Sequence, residues 1–148
     1  MADLAALSLS LVLILAVVTV HFQALLGLSA WQERVAASGH FKILVIIFGL
    51  IAAHSLEALV FAGGYWIGAG WLHLGAFFGA PHMQIGQFFY FSIEAFTTQG
   101  VGDVYPVGPL RLVASLEPLV GLILIGWSAS FTFLAMGIDW QQAFARPR

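Results

Sequence analysis

Two long apolar segments of the chain flank the stretch Ser92-Ile93-Glu94-Ala95-Phe96-Thr97-Thr98-Gln99-Gly100-Val101-Gly102-Asp103-Val104-Tyr105-Pro106. It combines a Gly-x-Gly pattern, two adjacent threonines and two carboxylates, in a protein with very few charged residues. A polar, glycine-rich loop at membrane depth is tolerated only where it is buried in protein or lines a water-filled path. This stretch is therefore the first candidate for a functional site.

The composition indicates an integral membrane protein. The chain is 61% hydrophobic and 8% charged, and its mean hydropathy is +0.97. A soluble domain has about a quarter of its residues charged, and so small a polar fraction cannot cover a surface that faces water. The net charge of −2 suggests no nucleic-acid partner. The absence of cysteine excludes disulfide and thiol chemistry.

Three segments are long and apolar enough to cross a bilayer, since about 20 apolar residues suffice. They cover approximately residues 4–28, 41–67 and 108–137. The first is predicted to stay as a transmembrane helix. A signal peptide is the weaker interpretation, because Met1-Ala2-Asp3 has no positive charge and the apolar run is too long.

The basic residues predict the orientation of the three spans. Arg34 and Lys42 flank the first connection, Arg146 and Arg148 end the chain, and the loop at residues 63–87 has no Lys or Arg. Short loops rich in Lys and Arg stay cytoplasmic. We therefore expect a multi-pass protein of the cell (inner) membrane, with the N-terminus outside and the C-terminus in the cytoplasm.

Residues 85–96 predict a helix of about three turns, which is too short to span the membrane and must be re-entrant. The negative end of its dipole would favour a cation. In the loop that follows, Gly100 and Gly102 permit backbone angles that let successive carbonyls face one axis. Thr98 can add its hydroxyl.

The stretch Thr97-Thr98-Gln99-Gly100-Val101-Gly102-Asp103 resembles the T-T-V-G-Y-G-D selectivity filter of tetrameric potassium channels. Ser92-Ile93-Glu94 resembles the end of that family's pore helix, and Tyr105-Pro106 the start of its outer mouth. The resemblance covers roughly residues 43–138, so the first helix lies outside it. It implies an all-α membrane fold, three transmembrane helices plus a re-entrant pore helix and filter loop, assembled as a homotetramer.

The resemblance also implies roles for individual residues. Permeant potassium, or another monovalent cation, is expected at the residues of the filter that precede Gly102. The cation is placed at Thr98, Gln99, Gly100 and Val101, and with Gly102 these are the implied filter and ion-binding residues. The residues implied to support the filter are Thr97, Glu94, Asp103, Tyr90 and Phe91.

Four side chains depart from the family pattern. Gln99 stands where most of the family has Val, and Val101 where it has Tyr; Tyr90 and Phe91 stand where it often has two tryptophans. Val101 cannot make the hydrogen bond of the family's aromatic hydroxyl. A less selective cation pore is therefore an alternative to a potassium channel.

Glu94 and Asp103 form a second constellation. In the channels that this chain resembles, the matching carboxyls share a proton behind the filter, because two close carboxylates do not both ionise easily. The alternative is that Glu94 is a protonated packing residue and Asp103 a solvated charge.

Ionisable residues inside the spans predict further polar contacts. His54 and Glu57 share a helix face, and Glu117 is expected at a similar depth, so we hypothesise one cluster of the three. A simple hydrogen-bonded pair, a pH-sensing role and a metal site remain open for His54 and Glu57. Gly121 and Gly126 are candidate gating hinges or positions of close helix packing.

The sequence thus predicts a passive channel for monovalent cations, potassium foremost, and not an enzyme. Its partners are the lipid bilayer and three further copies, with potassium or sodium as permeant ligands and no cofactor. The alternatives are a non-selective cation channel, a non-conducting accessory subunit, and a small membrane enzyme that uses the intramembrane His and Glu residues. The chain is predicted to have three parts: an extra N-terminal helix and connector (1–40), the pore domain (41–138) and a short tail (139–148). Within the pore domain we expect an outer helix (41–67), an outer loop (63–86), a pore helix (85–96), a filter (97–103) and an inner helix (108–137). A short interfacial helix is expected in the outer loop at residues 71–78.

Overall fold

The computed structural model describes residues 1–80 and 83–145, with side chains as far as residue 137. Three of its helices are long and apolar enough to cross a membrane. The prediction of an all-α membrane protein with three spans is confirmed. The elements are α1 (Ala2–Arg34), α2 (Gly39–Gly70), β1 (Ala76–Phe78), α3 (Ile85–Phe96), β2 (Tyr105–Val107) and α4 (Leu110–Ala145).

Helix α1 continues to Arg34, beyond the apolar run that ends near residue 28. Its last turns contain Gln, Glu and Arg, which are good helix formers. The buried Gln32 donates a hydrogen bond from Nε2 to the carbonyl of Ala135 in α4, at 3.3 Å. The link between α1 and α2 therefore shortens to residues 35–38.

One face of α1 packs against α2 and α4. Small residues on α2 allow the close approach: a Cβ on Gly64 would lie 2.4 Å from the side chain of Leu13, and one on Gly49 would lie 2.7 Å from Leu28. Glycine at such positions lets transmembrane helices come close together. The buried residues of α1 follow one another at helical spacing and are Ala6, Ser10, Leu13, Val17, His21, Leu25 and Gln32.

Several serine and threonine side chains in the long helices donate their hydroxyl proton within their own helix. Ser10, for example, donates to the carbonyl of Ala6 at 2.8 Å, and Thr19 donates to Leu15 at 2.7 Å. Such bonds to the carbonyl four residues back are available without water. These polar residues therefore fit into spans that offer no water in the bilayer core.

The outer loop contains strand β1 rather than the short helix expected at residues 71–78, so that prediction is wrong. Strand β1 pairs antiparallel with β2, with Phe77 opposite Pro106. Residue Gly79 has φ +90°, and a Cβ there would lie 2.1 Å from the carbonyl oxygen of Asp103. The loop before α3 is thereby held against the loop that follows it.

Four aromatic rings form the core between α2, β1 and α3. Phe77 lies edge-on to Tyr65, Phe88 and Phe91, at centroid distances of 5.7, 5.5 and 5.1 Å, and Tyr65 lies edge-on to Phe91 at 5.1 Å. Edge-to-face packing is the favoured arrangement for aromatic pairs. This cluster packs α3 against α2 and β1 of the same chain.

Helix α4 is longer than the predicted inner helix. It continues to Ala145, so most of the tail expected at residues 139–148 is helical, while residues 146–148 lie outside the described part. Near its middle, Gly121 packs on the end of α3: a Cβ there would lie 2.1 Å from the carbonyl oxygen of Phe96. This contact joins α4 to the base of the candidate filter.

We expect Gly121→Ala to destabilise the protein, because the added methyl group would overlap a backbone oxygen that cannot rotate away. Overpacking of this kind costs about 1–3 kcal/mol. Thermal unfolding in detergent measures the effect. The matched control is Gly27→Ala in α1, where a Cβ meets nothing within 4 Å and alanine favours the helix. Equal stability of the two variants would contradict the packing role of Gly121.

Candidate functional site

Helix α3 ends in a pair of backbone hydrogen bonds that set the start of the filter loop. The N–H of Thr98 donates to the carbonyl of Ala95 at 3.0 Å, and the N–H of Gln99 donates to Glu94 at 2.8 Å. These are the two bonds of a Schellman motif, which needs a left-handed residue just after the helix. Thr98 takes that place with φ +60°.

The handedness of the backbone alternates along the loop. The φ angle is positive at Thr98, Gly100 and Gly102 (+60°, +57° and +81°), whereas Gln99 and Val101 have negative φ. The sign of φ therefore alternates from residue to residue over positions 98–102. A left-handed conformation costs a residue with a Cβ about 1–2 kcal/mol, and such strain clusters at functional sites. Thr98 is the strained residue here.

The loop lies open in the single chain. Residues 97–103 are exposed, between the buried Phe96 and Val104. Within the described part of the chain, the backbone N–H groups of residues 100–103 donate no hydrogen bond.

Tyr90 stands between the two carboxyls of the site. Its hydroxyl lies 3.4 Å from Asp103 Oδ2, while Asp103 Oδ1 accepts the N–H of Val104 at 2.8 Å. Hydrogen bonding to Glu94, the largest cause, raises the pKa of Tyr90 to about 12, so the phenol keeps its proton at neutral pH. Among the described contacts there is no direct bond between Glu94 and Asp103, and their shared proton stays a prediction.

The remaining support residues lie on α3 and behind the loop. Thr97 donates its hydroxyl to the carbonyl of Ile93 at 2.7 Å. Phe91 is buried in the aromatic core, whereas Tyr90 is 42% exposed. A cavity of about 380 Å³ lies between the loop, α3 and α4. Its lining includes Phe91, Glu94, Thr98, Gly102, Ala114 and Pro118.

A second polar site joins α1, α2 and α4. The Nδ1 atoms of His21 and His54 lie 2.9 and 2.8 Å from the two carboxylate oxygens of Glu57, which is fully buried. The Nε2 atom of His54 lies 3.0 Å from Ser128 Oγ. The sequence analysis paired His54 with Glu57 but did not bring in His21. The available signal was that His21 is the one ionisable residue within residues 4–28.

Glu117 belongs to a separate network, so the predicted cluster of His54, Glu57 and Glu117 is not formed. Glu117 contacts Tyr65 and Ser92 instead. The reason is its position on α4: Ser128, which His54 contacts, lies three turns further along, or about 16 Å.

The hydrogen-bond geometry indicates that Glu117 is a neutral acid. Ser92 Oγ lies 2.7 Å from the carbonyl oxygen of Ala58 and 2.6 Å from Glu117 Oε1, and Tyr65 donates to Glu117 Oε2. A serine hydroxyl has one proton, and a carbonyl only accepts. Ser92 therefore donates to Ala58, and the proton between Ser92 and Glu117 belongs to Glu117.

The two candidate hinge glycines differ in their surroundings. Gly121 is packed against the carbonyl of Phe96, as close helix packing requires. A Cβ on Gly126 would meet nothing within 4 Å. The close-packing interpretation therefore holds for Gly121, and Gly126 stays a candidate hinge.

Comparison with known proteins identifies the family. A family model with the description "Ion channel" matches residues 40–136, which is most of the chain. The chain belongs to this ion channel family. Neither the curated proteins nor the solved structures give a significant match. The matched region of the ion channel includes α3 and the loop after it, while α1 lies outside.

We expect Glu117→Gln to keep the stability of this ion channel and Glu117→Leu to reduce it. The glutamine amide can donate to Ser92 and its oxygen can accept from Tyr65, as the neutral acid does. Leucine would leave the buried hydroxyl of Tyr65 without an acceptor, which costs about 1–3 kcal/mol. Thermal unfolding in detergent compares the variants. Equal loss in both would contradict the neutral state of Glu117.

Proposed function

We propose that this ion channel is a homotetramer that conducts monovalent cations passively, potassium foremost, through backbone carbonyls of residues 98–102. The observation that carries the proposal is the alternating φ at Thr98, Gly100 and Gly102. Such backbone angles permit successive carbonyls to face one axis, and the loop that carries them is exposed. One chain supplies only one side of a cage, and four around an axis would replace the hydration shell of an ion.

The electrostatics of the loop support a cation as the permeant ion. The loop follows directly on the C-terminal end of α3, where the helix dipole places about half a negative charge. Glu94 and Asp103 add carboxyl groups beside it. The sequence has no Lys or Arg at residues 43–110, so no basic side chain of this region opposes a cation.

One observation favours a non-selective cation channel as the second candidate. The side chain of Val101 is 56% exposed in the single chain and has no polar atom with which to bond the wall behind the filter. Gln99 has an amide that can take over this bond from a neighbouring chain. Potassium selectivity thus depends on how Gln99 packs in the tetramer.

We further propose that the N-terminus faces the outside and the C-terminus the cytoplasm of the cell (inner) membrane. Arg34 and Lys42 support this orientation through the positive-inside rule. In this arrangement the loop after α3 opens to the outside. Conduction needs no enzymatic reaction and no cofactor.

We expect flux of potassium when the purified protein is placed in liposomes under opposed potassium and sodium gradients, with block by barium. The control is Gly100→Ala. Nothing lies within 4 Å of a Cβ at Gly100, but its φ of +57° is unfavourable for alanine. We expect this variant to assemble and lose the flux.

The flux measurement has two other outcomes, which can be told apart. Equal flux of both cations would indicate the non-selective channel. Absence of flux from an intact tetramer would contradict conduction and indicate an accessory subunit.

We also expect Thr98→Gly to raise stability and reduce flux. Glycine adopts the left-handed conformation without strain, so the protein gains about 1 kcal/mol, but the hydroxyl that faces the ion is lost. Thermal unfolding and liposome flux measure the two effects on the same preparation. Thr98→Ser keeps the hydroxyl and is the control for flux. A variant Thr98→Gly with unchanged flux would contradict an ion-binding role of this side chain.

A further inference from the structure

The second polar site brings three metal-ligating side chains to one point. His21 comes from α1, and His54 and Glu57 come from α2; one ligand atom of each lies within 4.8 Å of the others. His21 and Glu57 are fully buried, and His54 is 21% exposed. The site is separate from the filter loop and plays no part in the proposed conduction.

The buried carboxylate of Glu57 needs a positive charge nearby. Ionised groups inside a membrane protein are paired or bind a cation. No Lys or Arg occurs in residues 4–28 or 43–110, and the α4 residues at the site, Ser128 and Trp127, do not carry charge. The site is therefore balanced by a proton, on Glu57 itself or on an imidazole, or by a bound metal ion.

We propose that His21, His54 and Glu57 bind one divalent transition-metal ion, with Zn²⁺ as the best fit. Two histidines and one glutamate are a ligand set that zinc uses, with the fourth position open to water. The Nδ1 atoms lie 2.9 and 2.8 Å from the oxygens of Glu57. Ligand atoms around a tetrahedral zinc lie roughly 3.3 Å apart, so a small outward shift of the side chains admits the ion.

The outer nitrogens of the two imidazoles differ, and that of His54 supports this assignment. Metal-bound histidine usually donates its other N–H to a second group, and His54 Nε2 lies 3.0 Å from Ser128 Oγ. His21 Nε2 is buried without a hydrogen-bond partner in the described part of the chain, and the ring of His21 packs 5.3 Å from that of Trp127. An unpartnered buried nitrogen is unfavourable. His21 thus differs from His54 in lacking the second contact that metal-bound histidines usually make.

A metal ion at this point would link α1 to the region that the family model matches. His21 belongs to the helix outside the matched residues 40–136, whereas His54, Glu57 and Ser128 belong to α2 and α4 inside them. The ion would therefore stabilise the docking of the extra helix.

Metal titration of the full-length protein in detergent tests the proposal. The protein is stripped with a chelator and titrated with Co²⁺, whose visible absorption reports a tetrahedral site, and then with Zn²⁺. We expect about one Co²⁺ per chain, displacement by Zn²⁺, and a higher unfolding temperature with either ion. Absence of the Co²⁺ absorption in the wild type would overturn the proposal, whatever the variants show. Glu57 and the two histidines would then share protons and bind no metal.

Matched variants locate the ion. We expect His21→Ala and Glu57→Gln to lose the Co²⁺ absorption, and Ser128→Ala to bind about tenfold more weakly through loss of the second contact of His54. His40→Ala removes an exposed histidine at the start of α2 and should bind like the wild type. Retained absorption in His21→Ala, or its loss in His40→Ala, would overturn the assignment.

Discussion

Polar groups inside the spans need partners within the protein, because the bilayer core offers no water; among the described side chains His21 Nε2 is the buried exception. An unpartnered group costs several kcal/mol there, so each pairing fixes the register of the helices that supply it. Glu57 bonds His21 of α1, and Glu117 of α4 bonds Tyr65 and Ser92 of α2 and α3. Sliding any of these helices by one turn would break such a bond. Apolar contacts alone specify register far less sharply in lipid.

The two buried glutamates show that neighbours, not residue type, determine the charge state. Glu117 is surrounded by hydroxyl groups, and the contact of Ser92 with Ala58 leaves the acid proton on Glu117. Glu57 has a ring nitrogen at each oxygen, from His21 and from His54. Imidazole nitrogens offer protons or coordinate a cation, so this carboxyl is suited to the ionised form. The two buried carboxyls thus differ in the chemistry of their partners, hydroxyl groups at Glu117 and imidazoles at Glu57.

The hydropathy and length of the apolar runs predicted the helices, each of which is formed by one continuous segment. The three spans are apolar runs of sufficient length, and the short helix before the filter follows from the apolar run that ends at Phe96. Contacts between distant residues were not predictable from one sequence. Ala76 pairs with Val107, and Gln32 reaches Ala135, through chain folding that local patterns do not encode. At the site, the motif indicated the glycines, but the left-handed Thr98 follows from how α3 ends.

Helix α4 has two anchored parts with a free position between them. Toward the filter, Gly121 packs on Phe96 and Glu117 bonds Ser92, so bending there would move the end of α3. Further along, Ser128 contacts His54, and the carbonyl of Ala135 accepts from Gln32 of α1. Gly126 lies between the two parts, where a Cβ would meet nothing within 4 Å. A displacement of α1 would reach α4 beyond Gly126 through Gln32. It would also reach the end of α3, because His21 bonds Glu57, Glu57 bonds His54, and the ring of His54 lies 5.7 Å from that of Phe96.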